Sequence, residues 1–452
     1  MKLKHIIDIP CGLRYCFENL TLGSSSYSRR YLLDMDMMES ARQIHQWQEA
    51  MQPYRRMVAD NRFSSLLQTI AFRYNTIKDI RETIAAIAFG RVADDIELFE
   101  VKNLAMGALA IQELLAKAEV NLSLPEGLRQ VVDILDPDAN KILSFYVYDS
   151  YSPQLAALRT RIKCTADAEE RQKLILESQE IEYAVRQKLT HELQPFATLL
   201  NDSLEKLVLA DIMLAQAQLS RRMGFCQPEI SEGGEYVLKA MFNPHIRFLL
   251  NEKGREFQKI DLTFGRQPLL IVGANMGGKT VVLKTLVLIQ YLTQFGFDVP
   301  ASEAHIPVKK SVFFCAGDAQ SELDGLSSFG AEMKKIDEVI RCPLSGADIL
   351  ACIDEPARST NPIEGTALVS ALIDILAEKK ITLLITTHYN IDSDLCVRMK
   401  VRGLENGKMN YALDVAPRGE VPHEALNVAR SLGISDRWLD EAQKILGKQY
   451  AK

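Results

Sequence analysis

The stretch Gly273-Ala274-Asn275-Met276-Gly277-Gly278-Lys279-Thr280 decides how this chain of 452 residues is read. It fits G-x-x-x-x-G-K-S/T, the pattern of a phosphate-binding loop, which carries meaning only between a strand and a helix. Both flanks meet that condition. Pro268-Leu269-Leu270-Ile271-Val272 is an apolar run of buried-strand length, and Val281 to Phe295 is mostly aliphatic, long enough for a buried helix, and closed by Gly296. In such a turn the backbone N–H groups of the loop and of the helix start converge on a polyanion. Gly273, Gly277 and Gly278 leave room for phosphates to approach the backbone, and Ala274, Asn275 and Met276 complete the loop. Lys279 is expected to neutralise the outer phosphates, and the Thr280 hydroxyl to ligate Mg²⁺. The stretch predicts a nucleotide site.

Three further segments supply chemistry to it. Ile349-Leu350-Ala351-Cys352-Ile353-Asp354-Glu355 is a second apolar strand ending in paired carboxylates. Asp354 is expected to hold the Mg²⁺ hydration shell near Thr280, and Glu355 to orient and polarise an attacking water, because phosphoryl transfer depends mainly on positioning and charge stabilisation. A third strand, Ile381 to Thr387, delivers His388 to the ligand side of a parallel sheet, where it would meet the γ-phosphate or the water. Between the two, Leu326-Ser327-Ser328-Phe329-Gly330-Ala331-Glu332-Met333 leads into a helix running to about Arg341. Serines there cap the helix, and the same geometry offers an anion site.

Outward from these motifs the chain changes character. From about Arg29 to Gln218 it reads as helix, with few Gly, rare Pro and apolar residues at three- and four-residue spacing; Ile181, Val185, Leu189 and Leu193 form the clearest stripe, and Pro195 is expected to interrupt it. Residues 1 to about 35 mix short β-like runs with a Gly-Ser turn. Gly233-Gly234 and Asn243-Pro244 then mark a change to strands alternating with helices, with strands at Leu269–Val272, Ser311–Cys315, 349–353, 382–386 and 408–414, and Val421 to Gln449 returns to helix. The fold class expected is α + α/β. It comprises an N-terminal segment 1–35, an all-helical core or lever domain 36–225, a P-loop ATPase domain 226–415 and a helical tail 416–452.

Composition narrows the partners. The chain carries a net charge of −6, and its basic clusters (Arg29-Arg30, Arg55-Arg56, Arg221-Arg222) are short and dispersed, so composition alone gives no support for nucleic-acid binding. No apolar run reaches membrane-spanning length, and the start lacks a signal-peptide apolar region. Its eight cysteines include no C-x-x-C pair, and Cys315 and Cys352 sit in apolar runs, as reduced core residues of a cytoplasmic protein would.

Taken together, Gly273 to Thr280, Val299-Pro300-Ala301, the Ser-x-Phe-x-x-Glu-Met run beginning at Ser327, Asp354-Glu355, Asn361-Pro362-Ile363-Glu364-Gly365 and Thr386-Thr387-His388-Tyr389 resemble the MutS family, in the order of its ABC-type ATPase domain. Val421 to Ala429 and the residues after them are similar to that family's dimerising tail, and the helical core resembles its own more weakly. The resemblance implies Mg²⁺-dependent ATP hydrolysis by paired ATPase domains, in a homo- or heterodimer, with Ser327 and Ser328 acting in trans on the partner's nucleotide and Phe257 stacking on adenine. It also implies a shortened member: the Phe-x-Glu mismatch wedge, its domain and a connector domain are missing. Pro356-Ala357-Arg358-Ser359-Thr360 stands where Leu-Gly-x-Gly-Thr is usual, which removes two glycines and sets Arg358 close to the phosphates, either against transition-state charge or in a salt bridge.

Two functional readings follow. In the first, nucleotide state moves helical levers on DNA, as in mismatch repair but without the wedge. In the second, the chain resembles the ATP-driven reactivating factors of cobalamin-dependent aminomutases, and its client is a protein. A sensor that binds nucleotide without turnover is disfavoured by Glu355.

Overall fold

A computed structural model describes residues 1–23, 25–141, 144–273, 278–316, 328–405, 408–417 and 434–450. The loop residues Ala274, Asn275, Met276 and Gly277, together with Ser327 and tail segment 418–433, lie outside these. The chain divides into two compact units: Met1–Asn19, Asp36–Glu49 and Leu219–Lys452 form one, Leu20–Met35 and Ala50–Gln218 the other.

The regular structure described in the second unit is helical. Helix Ala168–Leu193 starts where the Asp167 carboxylate accepts from Glu170 N at 2.8 Å, satisfying one of the helix's orphan donors. It buries Leu174, Val185, Leu189 and Leu193. Pro195 then sits in a single 3₁₀ turn, Gln194–Phe196, before helix Ala197–Met223 buries Leu200, Leu204 and Leu207. Helix Asp95–Ala116 opens on a reciprocal cap in which Asp94 accepts from Glu97 N and Glu97 from Asp94 N. One buried ion pair stands inside this unit. Lys102 Nζ donates to Asp136 Oδ1 and to the Tyr148 hydroxyl, both at 3.0 Å.

The first unit carries two sheets. Strands β1 (Glu229–Ile230), β2 (Tyr236–Met241), β3 (Ile260–Phe264) and β5 (Glu303–Ile306) form the smaller, in the order β1-β5-β2-β3. The larger uses β4 (Leu269–Val272), β6 (Ser311–Cys315), β7 (Ile349–Asp354), β8 (Thr382–Thr387), β9 (Val397–Glu405) and β10 (Lys408–Val415), in the order β10-β9-β4-β8-β7-β6. All its pairings are parallel except β10 on β9. β4, β7 and β8 are buried at every residue, as near-continuous apolar strands covered on both faces must be. On one face Leu270, Val272, Ala351, Ile353, Leu383 and Ile385 join Val369, Ile373 and Leu376 of helix Pro362–Glu378 in a single core. Helix Lys279–Gln294 contacts β7 and β8 and lies outside that core.

Two local expectations are corrected. Residues 1–35 are not β-like: they form helices Leu13–Glu18 and Ser25–Asp34, with a lone bridge from Lys2 to Asp36. Leu13, Cys16 and Phe17 are buried at helical spacing, and this short helix contacts helices Pro244–Glu252 and Lys279–Gln294. The larger sheet, moreover, has a strand absent from those expected, β9. β9 and β10 form an antiparallel ribbon at the sheet edge, with a register shift between Asn410 and Leu413.

Candidate active site

The C-terminal ends of β4, β7 and β8 lie side by side and bring the sequence motifs together. β4 ends at Val272, and Gly278, at φ 77°, begins helix Lys279–Gln294. A Cβ on Gly278 would stand 3.0 Å from Tyr411 Cδ1 and would have to displace that ring slightly, and the positive φ strains any residue but glycine. Lys279, only 4% exposed, donates to the Gly273 carbonyl at 2.5 Å and pairs with Glu355 Oε1 at 3.0 Å.

Asp354 is the last residue of β7, and both of its oxygens are engaged. The Thr280 hydroxyl donates to Oδ2 at 2.7 Å, and the Thr386 hydroxyl to Oδ1 at 2.6 Å. Thr386 also receives Glu355 N, at 3.1 Å through its carbonyl and 3.0 Å through its hydroxyl oxygen. One residue of β8 thus ties down the acid of the adjacent strand and the backbone of the acid after it. Sequence reading gave Thr386 no role of its own; register explains it, because Asp354 and Thr386 are direct partners across the parallel pair.

Glu355 has the most unusual surroundings. Its side chain is 11% exposed and its Oε2 is buried with no hydrogen-bond partner among the described residues. Arg358 Nε stands 3.6 Å and His388 Nδ1 3.9 Å from Oε2. Arg358 therefore stands in the salt-bridge position, on a side chain that is 65% exposed. Burial lowers the His388 pKa below the ordinary histidine value; Glu355 opposes this, while Lys279 and Arg358 add to it. Around the next turn, Ala357 N donates to Glu332 Oε1 at 3.2 Å, and the Tyr389 hydroxyl donates to Ala357 O at 2.7 Å. Burial pushes the Glu332 carboxyl above its ordinary range, against the bond from Ala357 N.

Two expected residues are less closely joined. Phe257 lies partly buried ahead of β3, so along the chain β3 and β4 both come between it and the glycine turn. Its neighbour Gln258 reaches β10, donating to Asn410 Oδ1 at 2.7 Å and accepting from Tyr411 N at 2.9 Å. Ser328 is the first residue of helix Ser328–Arg341. Nothing in the sequence singled out Gln258 or Tyr411.

The donor set suits Mg²⁺. One carboxylate and one hydroxyl meet at 2.7 Å, few enough to leave most of an octahedral shell for water and phosphate. A dedicated protein cage is a different arrangement, and among the described residues no group of three or more His, Cys, Asp or Glu forms one. An unpartnered, buried carboxylate oxygen beside a lysine likewise suits a site that receives a polar group.

The class these features define is a mixed helical and α/β protein with an ATPase-type site at its parallel strand ends. Residues 269–445 match the family model described as MutS domain V. Over residues 269–445 the chain thus carries a MutS-type domain V, the ATPase domain of that family. It is 30% identical over 289 residues to an endonuclease MutS2 of Carboxydothermus hydrogenoformans, covering 62% of this chain and 36% of that protein. With an endonuclease MutS2 of Thermus thermophilus it shares 34% identity over 258 residues, 54% of this chain and 32% of the relative. With a DNA mismatch repair protein MutS of Brevibacillus brevis it shares 26% over 348 residues, 68% and 40% respectively. The matches thus span 32% to 40% of the length of these relatives.

Proposed function

We propose that this protein binds Mg²⁺·ATP at the glycine turn, hydrolyses it, and uses the nucleotide state to act on DNA as a dimer. The observation that carries the reading is the Glu355 carboxylate, with one oxygen on Lys279 and the other buried and without a hydrogen bond among the described residues. In this reading Gly273 to Gly278 cradle the phosphates with their N–H groups, and Lys279 exchanges Glu355 for phosphate oxygens. Glu355, released on one side, accepts a hydrogen bond from the attacking water at Oε2, and neutral His388 stands next to it to hold that water or the γ-phosphate. Thr280 and Asp354 would hold Mg²⁺, which bridges phosphate oxygens and offsets their charge when bound. Phe257 is assigned to the adenine, and Ser327 and Ser328 to the nucleotide of the partner subunit.

The helical residues 36–225 are assigned to levers, 226–415 to the ATPase domain and 416–452 to dimerisation. The setting is cytoplasmic; no helix among the described residues is long and apolar enough to cross a membrane. DNA is preferred as the target because the relatives bear the names of a mismatch repair protein and an endonuclease. No observation favours the aminomutase-reactivating alternative.

Phosphate release from Mg²⁺·ATP tests the reading, with Lys279→Ala as the control that abolishes tight nucleotide binding. Salt-dependent binding to duplex, mismatched or branched DNA, with and without ATP, tests the target. A wild-type protein that retains no nucleotide refutes the enzyme; one that hydrolyses ATP but binds none of these DNAs refutes the DNA target.

A further inference from the structure

The turn after Glu355 is held in a shape that its own residues resist. Glu355 and Ala357 both lie at positive φ, 45° and 60°, where an L side chain crowds its own backbone. Such conformations persist only where the surroundings over-determine them. At Glu355 the constraint is Thr386, through the main-chain N–H. At Ala357 it is a two-sided grip: Glu332 takes the N–H and Tyr389 holds the carbonyl. Tyr389 is itself fixed. Its N–H donates to Thr387 Oγ1 at 3.0 Å, and its hydroxyl fills the space that a side chain on Gly365 would need.

The grip matters because of what the Glu355 side chain lacks. Among the described residues Oε2 has no hydrogen bond, and Oε1 is held by Lys279, the group that the proposed reaction sends to the phosphates. Once Lys279 leaves, the direction of the carboxylate is set by the backbone that bears it. That backbone is strained on both sides of Pro356 and returns to ordinary φ unless restrained.

We propose that Glu332 and Tyr389 are positioning residues that clamp Ala357 from both faces and thereby aim the Glu355 carboxylate. The inference rests on the reading of Glu355 as the water-holding group. It gives the Glu-Met end of the serine motif a task apart from the serines: Glu332, on helix Ser328–Arg341, links that helix by one hydrogen bond to the Ala357 peptide, two residues after Glu355.

The test uses the full chain, with Mg²⁺·ATP turnover, binding of a fluorescent ATP analogue and a thermal melt measured on each variant. Tyr389→Phe removes one hydroxyl, and Glu332→Ala removes the acceptor for Ala357 N. Each is expected to lower kcat about tenfold or more, as small misplacements of a reacting group do, while analogue affinity stays within about twofold. Glu332→Gln keeps an acceptor oxygen and should stay within about threefold of the wild-type rate. The decisive variant is Glu332→Ala combined with Ala357→Gly. Glycine occupies φ 60° without strain, so the unclamped turn keeps its shape and turnover should recover by about threefold or more over Glu332→Ala alone. If Glu332→Ala fails to melt cooperatively, Tyr389→Phe with and without Ala357→Gly decides the matter. Wild-type turnover in folded Glu332→Ala and Tyr389→Phe overturns the clamp, as does loss of turnover that glycine at 357 does not relieve. Wild-type turnover in Glu355→Gln overturns the reading of Glu355 instead, so the two failures are distinguishable.

Discussion

Replacing Glu355 by glutamine tests the charge exchange on which the proposed reaction turns. In the structure Lys279 donates to the Gly273 carbonyl at 2.5 Å and pairs with Glu355 Oε1 at 3.0 Å, on a side chain almost wholly removed from water. A hydrogen bond to a charged group contributes about 1.5–3 kcal/mol net, and one to a neutral acceptor about 0.5–1.5 kcal/mol. Glutamine keeps the volume and the acceptor but loses the charge. The resting hold on Lys279 therefore weakens by about 1–1.5 kcal/mol. A phosphate competing for the same ammonium gains that difference, roughly 5- to 12-fold in dissociation constant. Turnover should fall by about 10²–10⁴-fold, the usual contribution of a positioned general base. Equilibrium titration with a fluorescent ATP analogue and single-turnover phosphate release separate the two effects. Weaker binding in Glu355→Gln would refute the exchange, because it would mean that the carboxylate prepares Lys279 for nucleotide rather than competing for it.

Other outcomes follow from particular contacts. Lys102 and Asp136 have side chains only 1% and 2% exposed, so Lys102→Met, which leaves a buried carboxylate unpaired, should cost about 3–5 kcal/mol in urea unfolding. Adding Asp136→Leu should return much of that loss; a double variant as unstable as the single one would contradict the pairing. Gly296 has φ 77° and no room for a Cβ beside the Trp47 indole. Gly296→Ala should therefore destabilise by about 2–4 kcal/mol from conformation and overpacking together, whereas Gly254→Ala, at φ 65° in open space, should cost only about 1–2 kcal/mol. Equal melting shifts would sink that comparison. His388 is lowered from its ordinary value of 6.5, first by burial, so it stays neutral at neutral pH. Its contribution to stability is complete above pH 6.5 and declines as pH falls through the lowered value, because the unfolded chain takes up the proton first. Turnover should follow the same direction, level through neutral pH and falling only on the acid side; a rise in kcat as pH drops below 6.5 would contradict a neutral His388.

The charges around Glu355 explain why its own pairing is no obstacle to function. Three groups of positive or potentially positive charge approach one carboxylate: Lys279, Arg358 and His388. Only Lys279 is close enough for a hydrogen bond, and Lys279 is also the group with the least access to water. Arg358 is mostly exposed, so its pull on Oε2 is screened by solvent and worth little at rest. Lys279 is thereby the one strong tie on the carboxylate. Its removal by an incoming phosphate would leave Glu355 with a desolvated, partly compensated charge and a vacant acceptor at Oε2. That coupling of substrate arrival to base release needs no movement of the sheet.

The parts of the fold that local sequence revealed are those whose burial is uniform. β4 begins and ends at the residues expected from its apolar run, and β7 runs one residue past its own, because a strand covered on both faces shows no polar residue until it stops. The carboxylates were legible for the same reason, as the first polar residues after such a run, and His388 by its place just past Thr386-Thr387 at the end of β8. The smaller sheet was not, since β2 pairs with β5 some sixty residues away and its pattern of buried and half-buried residues resembles many loops. Nor was the place of the first nineteen residues, which is decided by contacts such as Asn243 Nδ2 donating to the Cys11 carbonyl at 2.8 Å, across 232 positions. Thr386 and Tyr389 were visible as part of a motif but not as partners, because only the register of β7 on β8 sets Thr386 opposite Asp354. Ala357 shows most sharply where local reading ends. Alanine is the best of helix formers and gives no hint of positive φ, yet here it stands at 60° in a position where glycine is usual. A residue that opposes its own conformation implies a restraint elsewhere in the fold, and the two groups within hydrogen-bonding distance of its peptide atoms, Glu332 and Tyr389, are where that restraint is found.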